Sequence, residues 1–169
     1  MRAFFDSNIA VYAFADDLDH RKPLAMDLLG RHGTDFELVL STQVLLETYN
    51  VLVRRKGLLP KRALGYVRLL MNHEVISPSA DSALAAVSLA AEHRLPVYDA
   101  FIVQAALQGG CDTLFSEGLQ AGRRFGPLVV INPFDSAAHE PAAVYAERAA
   151  NPAPAAAPIT SARRRSRRP

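Results

Sequence analysis

Cysteine is almost absent from this chain of 169 residues, which contains only Cys111. No intramolecular disulfide can form, and a reducing compartment is consistent with that composition. The five histidines do not follow a metal-ligand spacing such as His-Glu-x-x-His, and no Cys-x-x-Cys pair occurs. The sequence therefore gives no reason to expect a zinc site.

Long apolar runs are missing as well. No segment approaches the roughly 20 apolar residues that a membrane-spanning helix needs. Residues 1–5 are too short and wrongly composed for a signal peptide. We therefore expect a soluble protein of the cytoplasm that has no membrane partner.

Charge is distributed unequally along the chain. Residues 1–135 carry 13 Lys and Arg against 15 Asp and Glu, whereas residues 136–169 carry six Arg against two Glu. The second segment is also rich in Ala and Pro and cannot bury a core. We predict one domain over 1–135 and a disordered tail over 136–169. Its arginine-rich end either binds nucleic acid without sequence preference or only solubilises the chain.

Hydrophobic patterning predicts strands that alternate with helices. The predicted strands cover residues 2–5, 36–40, 74–76, 113–115 and 128–131, and the predicted helices cover 9–14, 20–31, 42–56, 60–71, 79–93 and 99–107. This alternation is typical of an α/β fold with a mostly parallel sheet. Ligand sites in such sheets form outside the carboxyl ends of the strands.

Three acidic residues are candidate site residues, and for each of them there is an alternative, purely structural role. Asp6 directly follows the first strand, where it lies at a carboxyl end or caps the next helix. Glu47 shares a helix face with Val44 and Val51, and an acid on such a face requires a metal, an ion pair or an edge position that reaches water. Asp99 opens a late helix, where N-capping is the alternative role.

Together the three acids indicate a divalent cation. Clustered carboxylates repel one another, and a cation relieves that repulsion. Mg²⁺ prefers oxygen ligands and usually takes only one or two protein carboxylates together with several waters. Such a site is completed by substrate oxygens, typically those of a phosphate. The sequence does not distinguish Mg²⁺ from Mn²⁺.

Several segments, in this order, resemble the PIN domain, and in particular the VapC toxins of type II toxin–antitoxin systems. The segments are Phe4–Ile9, Ser41–Glu47, Asp99–Ala106, Gly110–Glu117 and Val130–Phe134.

The resemblance implies a single three-layer domain with a parallel sheet of about five strands flanked by helices. It also implies a Mg²⁺-dependent endoribonuclease that hydrolyses RNA phosphodiester bonds, forms a homodimer and is inhibited by a cognate antitoxin protein. By motif match, Asp6, Glu47 and Asp99 take the acidic positions of the family. We expect Asp6 and Asp99 to hold the metal, and Glu47 to complete the cluster and orient the attacking water.

One motif departs from the family pattern. The family usually places an aspartate in a Thr/Ser-x-Asp triplet after the fourth strand, but this chain has Ser116-Glu117-Gly118. Gly118 stands where the acid is expected, and we retain the neighbouring Glu117 as a candidate catalytic acid. The alternative function is a catalytically weakened domain that binds RNA or an antitoxin without turnover. Ser116 and Asn8 either orient the carboxylates or form ordinary turns.

Basic residues surround the turn at 57–60, and they are candidates for binding the RNA backbone. They are Arg54, Arg55, Lys56, Lys61 and Arg62. The alternative is a solvated helix end, because basic side chains also favour a helix C-terminus. Aromatic residues for base stacking are sparse at 8%.

Two other α/β enzyme classes fit less well. A phosphatase of the haloacid dehalogenase type needs a second aspartate two residues after the first, and that position is Asn8. A receiver-like phosphoacceptor needs paired acids before the first-strand aspartate, and the sequence has none there.

Overall fold

The computed structural model describes residues 1–135, so the predicted disordered tail at 136–169 lies outside the described residues. Helices and strands alternate along the chain. They are β1 (Arg2–Phe5), α1 (Ser7–Phe14), α2 (Lys22–Gly30), β2 (Glu37–Ser41), α3 (Thr42–Arg54), α4 (Pro60–Leu70), β3 (Glu74–Ile76), α5 (Ala80–His93), α6 (Val97–Gln108), β4 (Thr113–Phe115), β5 (Arg124–Phe125) and β6 (Leu128–Ile131).

The strands form one sheet in the order β3-β2-β1-β4-β6-β5. Every pairing is parallel except that of β5 with β6. The predicted α/β class and mostly parallel sheet are confirmed, and all five predicted strands are present. The sixth strand, β5, was not predicted because two residues are too few to show a hydrophobic pattern. Gly126 has a φ of +57° and makes the tight turn from β5 to β6.

Helices cover both faces of the central strand. Ala3, Phe4 and Phe5 are consecutive in β1 and all are 0% exposed. Successive side chains of a strand point to opposite faces, so neither face of β1 meets solvent. Strands that are buried on both faces have sequences that are continuous apolar runs, as observed here.

The last predicted helix begins earlier than expected. Its first residue is Val97, and Pro96 is the N-cap, whereas the sequence pattern suggested a start at Asp99. Proline has no backbone N–H that would need a hydrogen-bond partner, and its fixed φ is compatible with the position before a helix. Asp99 therefore lies inside the first turn and is not the cap.

Strand register brings two site candidates together. Phe5 of β1 pairs with Phe115 of β4, so Asp6 and Ser116 follow side by side at the carboxyl edge of the sheet. The Asp6 backbone N–H donates to the Phe115 carbonyl at 3.0 Å, which continues the ladder by one residue. Within residues 1–135, no helix has the length and apolar character needed to cross a bilayer.

Candidate active-site cleft

Asp6 lies at the carboxyl end of β1 and also caps α1. Its Oδ1 accepts a hydrogen bond from the Ser7 backbone N–H at 2.6 Å and thereby caps α1. Its Oδ2 accepts from Asn8 Nδ2 at 3.0 Å and from Ser116 Oγ at 2.6 Å. The carboxylate is thus held on both sides, in an orientation set by α1 and by the end of β4.

Ser116 is arranged to donate to Asp6. The residue is fully buried, and its Oγ accepts from the backbone N–H groups of Gly118 and Leu119 at 3.2 and 3.3 Å. A hydroxyl has one proton, and with its acceptor sites taken that proton points to Asp6. Asn8 and Ser116 therefore occupy the orienting positions expected for partners of a metal-binding carboxylate.

Glu47 extends from α3, whose N-terminus is capped by Ser41 Oγ. Val44 on the same face is fully buried, but Glu47 is exposed at the rim. The edge position considered in the sequence analysis is therefore the observed one. Among residues 1–135, no Lys, Arg or His forms an ion pair with Glu47.

Asp99 lies in the first turn of α6 and is partly buried. A negative charge is favoured there by the helix dipole. No hydrogen bond from any residue of the described domain reaches its carboxylate. Both oxygens are therefore available to a ligand from outside the chain.

The three acids lie in one cleft of about 570 Å³, although they come from the end of β1, from α3 and from α6. The cleft is lined by Asp6, Ser7, Asn8, Val11, Tyr12, Arg21, Gln43, Glu47, Val51, Arg55, Lys56, Tyr98, Asp99, Ile102 and Gly118.

The carboxylates also interact electrostatically. Burial raises the pKa of Asp6, the hydrogen bonds from Ser116 and Ser7 oppose that rise, and the charge of Asp99 adds to it. Desolvation raises the pKa of Glu47 and the charges of Asp6 and Asp99 raise it further, while a hydrogen bond with Ser7 and the charge of Arg55 oppose the rise. Burial raises the pKa of Asp99 as well. The acids thus favour either protons or a cation.

The donor set of the cleft fits a hard cation. Within residues 1–135, no three His, Cys, Asp or Glu side chains are grouped closely enough to enclose a metal by themselves. Mg²⁺ does not need such a cage, because one or two carboxylates and several waters are its usual shell. The Asn8 Oδ1 atom beside Asp6 is buried without a hydrogen-bond partner and adds another oxygen. Asp6 and Asp99, the ligands expected from the sequence, both line the cleft that would hold such an ion.

Glu117 has other partners. Its Oε2 accepts from the Tyr12 hydroxyl at 2.5 Å, and its Oε1 accepts from Arg21 Nη1 at 2.6 Å. It does not line the cleft, whereas Gly118 does. A Cβ atom added to Gly118 would meet nothing closer than Ser116 Oγ at 3.8 Å, so this position has room for a side chain.

The predicted basic patch divides in two. Arg55 and Lys56 line the cleft, and Lys56 also pairs with Asp17 at 2.5 Å. The others lie outside the cleft lining: Arg54 and Lys61 are exposed and Arg62 pairs with Asp16. Arg21 is a third cation of the cleft and was not predicted from the sequence. Its ion pair joins positions 96 residues apart, and no local pattern signals such a contact.

The family model of the PIN domain matches residues 3–121, which is more than half of the chain. The chain therefore belongs to the PIN domain family, as its motifs indicated. No curated protein sequence matches it significantly.

Three solved structures share the fold. VapC20 of Mycobacterium tuberculosis, described as a Sarcin-Ricin loop cleaving toxin, is 21% identical with a TM-score of 0.57, over 68% of this chain and 88% of that one. A toxin–antitoxin complex from Klebsiella pneumoniae is 20% identical with a TM-score of 0.60, over 79% and 98%. VapBC2 from Rickettsia felis, bound to a DNA fragment from their promoter, is 19% identical with a TM-score of 0.54, over 78% and 98%.

Replacement of Asp99 by asparagine should stabilise the protein in the absence of divalent cations. Burial raises the folded-state pKa above the usual 3.8, so the charged form weakens the fold above that raised pKa. Below the unfolded-state value both forms are neutral and the difference vanishes. The melting temperature of Asp99→Asn minus that of the wild type should therefore grow as the pH rises above about 4, and should level off above the raised pKa of Asp99. Thermal unfolding followed by circular dichroism in EDTA, at a series of pH values, would measure this difference.

Asp81→Asn is the matched control, because Asp81 is an exposed acid in the first turn of α5. Removal of the Asp81 charge measures the stabilisation by a helix dipole, which is also lost in Asp99→Asn. A difference in melting temperature for Asp99→Asn that falls as pH rises would contradict the destabilising effect of burial at Asp99.

Proposed function

We propose that this chain is a metal-dependent ribonuclease that hydrolyses RNA phosphodiester bonds. The observation that carries the proposal is the meeting of Asp6, Glu47 and Asp99 in one cleft. Arg55 and Lys56 line the same cleft and supply positive charge for a polyanionic substrate. Membership of the PIN domain family supports the same chemistry.

The three acids divide between two roles in this proposal: two would hold the metal, and the third acts on the attacking water. Asp6 and Asp99 would hold Mg²⁺ or Mn²⁺, while Asn8 and Ser116 keep the Asp6 carboxylate in its orientation. When bound, such an ion lowers the pKa of water and neutralises charge on a phosphate. Glu47, with its raised pKa, orients the attacking water and accepts its proton.

We further propose that the chain is the toxin of a type II toxin–antitoxin pair with a cognate antitoxin protein as its partner. Support comes from the shared fold of the Klebsiella and Rickettsia complexes.

A homodimer is the third element of the proposal. An apolar groove of about 860 Å³ lies between α3, α5 and α6. Leu46 and Val87 in it are 72% and 54% exposed, which is unusual for apolar side chains that share one patch. A second copy of the chain would bury them.

Val87→Glu should weaken the dimer about 100-fold, because the new charge would be buried without a partner. Sedimentation velocity over a concentration series would measure the change in the dimer Kd. Leu18→Glu is the control, since Leu18 is a fully exposed apolar residue outside the groove. An unchanged dimer in Val87→Glu would exclude this groove as the interface.

Asp6→Asn should reduce RNA cleavage at least about 100-fold, since loss of a ligand costs no less than loss of its orienting partner. Asparagine is also a good N-cap, so α1 should be retained. The measurement is cleavage of end-labelled RNA with Mg²⁺ and with EDTA, beside circular dichroism. Asp81→Asn serves as the surface control. Full activity in Asp6→Asn, or wild-type cleavage in EDTA, would refute the proposal.

The glycine at position 118 favours a second candidate function, a PIN domain that binds RNA or an antitoxin with little turnover. Gly118→Asp should raise the Mg²⁺-dependent cleavage rate about tenfold or more by supplying the missing acid. Gly118→Ala adds the Cβ without the charge and should leave the rate unchanged. If the aspartate variant is no faster than the alanine variant, the glycine does not limit catalysis.

A further inference from the structure

Three residues line both the cleft and the apolar groove, and so form the rim between them. They are Gln43, Glu47 and Tyr98. Glu47 belongs to the acidic cluster already described. Gln43 and Tyr98 have no role in that chemistry, yet they lie immediately beside it.

Tyr98 differs from every other aromatic residue in the described part of the chain. Its side chain is 73% exposed, whereas all other Phe and Tyr side chains between positions 1 and 135 are buried or half-buried. It precedes Asp99 directly in α6 and lines the same cleft. In a single copy of the chain, an aromatic surface therefore stands open next to one of the proposed metal ligands, on the rim of the groove proposed as the dimer interface.

Gln43 supplies a second and independent observation. Its Oε1 atom is buried without a hydrogen-bond partner, while its Nε2 donates to the Tyr98 carbonyl at 3.5 Å. A buried acceptor without a donor destabilises a fold, and each such atom requires an explanation. The residue as a whole is half-buried and lines the cleft, so a rotation of its amide would present this oxygen to a donor on a bound ligand.

An aromatic face and an unsatisfied acceptor match the chemistry of a nucleobase. Every base has a π-face that stacks on tyrosine, and most have exocyclic or ring N–H donors. Phosphate-binding cations are close, because Arg55 and Lys56 line the same cleft. A nucleotide chain bound there would have its backbone near these cations and a base near the rim.

We infer that Tyr98 and Gln43 form a base-binding subsite for a nucleotide adjacent to the scissile phosphate. The Tyr98 ring stacks on the base, and Gln43 Oε1 accepts a hydrogen bond from a base N–H. This inference rests on the proposed function and deepens it, since it gives the cleft a contact that recognises bases in addition to phosphates.

The test compares a fluorescein-labelled single-stranded RNA of mixed sequence with an abasic ribose-phosphate chain of the same length. Binding is followed by fluorescence anisotropy with Ca²⁺ in place of Mg²⁺, and gels verify that the RNA stays intact. Tyr98→Ala should weaken binding of the RNA about 5- to 100-fold, because stacking on one base is lost. Tyr98→Phe should retain binding, and Gln43→Met should weaken it about two- to tenfold.

Binding of the abasic chain should be unchanged in Tyr98→Ala, and the dependence of RNA affinity on salt should also be unchanged, because no phosphate contact is removed. Equal weakening for both chains, or no weakening for either, would overturn the subsite. A shift from dimer to monomer in Tyr98→Ala, measured by sedimentation, would also overturn it and assign the ring to the contact between copies.

The two proposals can fail separately. If wild-type protein shows base-dependent binding through Tyr98 but no Mg²⁺-dependent cleavage, the nuclease function fails and the subsite stands. If wild-type protein cleaves RNA and Tyr98→Ala binds as tightly as wild type, only the subsite fails.

Discussion

Burial of carboxylates in one cleft is the constraint on which this site depends. Burial raises the pKa of Asp6, Glu47 and Asp99, and repulsion between the charges adds to the rise at Asp6 and Glu47, so keeping all three ionised in the cleft costs free energy. The fold opposes that cost through fixed hydrogen bonds to Asp6 from α1 and β4. Glu47 stays exposed at the rim, where water screens its charge. The remaining imbalance is what a divalent cation would relieve.

The parallel sheet explains why these acids meet at all. Strand β1 lies between β2 and β4, so the segments that follow all three strands emerge at one edge. The segment after β1 supplies Asp6, the segment after β2 continues directly into α3 with Glu47, and the segment after β4 supplies Ser116. Glu117 follows Ser116 at the same edge, but its carboxylate accepts hydrogen bonds from Tyr12 and Arg21.

Local sequence signals were sufficient for most of the fold. Continuous apolar runs identified the five parallel strands, and three- and four-residue spacing placed Glu47 beside Val44 on α3. The edge strand β5 and the start of α6 at Val97 were missed, because a two-residue strand has no pattern and Pro96 looked like part of a loop. The domain boundary at 135 and the catalytic role of the acids stay predictions.

Contacts between distant residues could not be predicted. Nothing near Glu117 in sequence indicates that Arg21 holds it, and nothing near Gln43 indicates that one of its amide atoms lacks a partner. Such contacts depend on how segments far apart in the chain, such as the start of α2 and the loop after β4, approach one another in the folded domain. They require coordinates, whereas helix and strand patterns require only short stretches of sequence.

The double use of Asp6 affects how variants of this protein should be interpreted. Its carboxylate caps α1 as well as facing the cleft, so selection for folding alone would retain a capping residue at this position. Glu47 caps no helix: it is exposed, and no cation of the described domain forms an ion pair with it. In a lineage that kept the fold but lost the chemistry, Glu47 would be free to drift first. Its presence is therefore the more sensitive marker of an active enzyme.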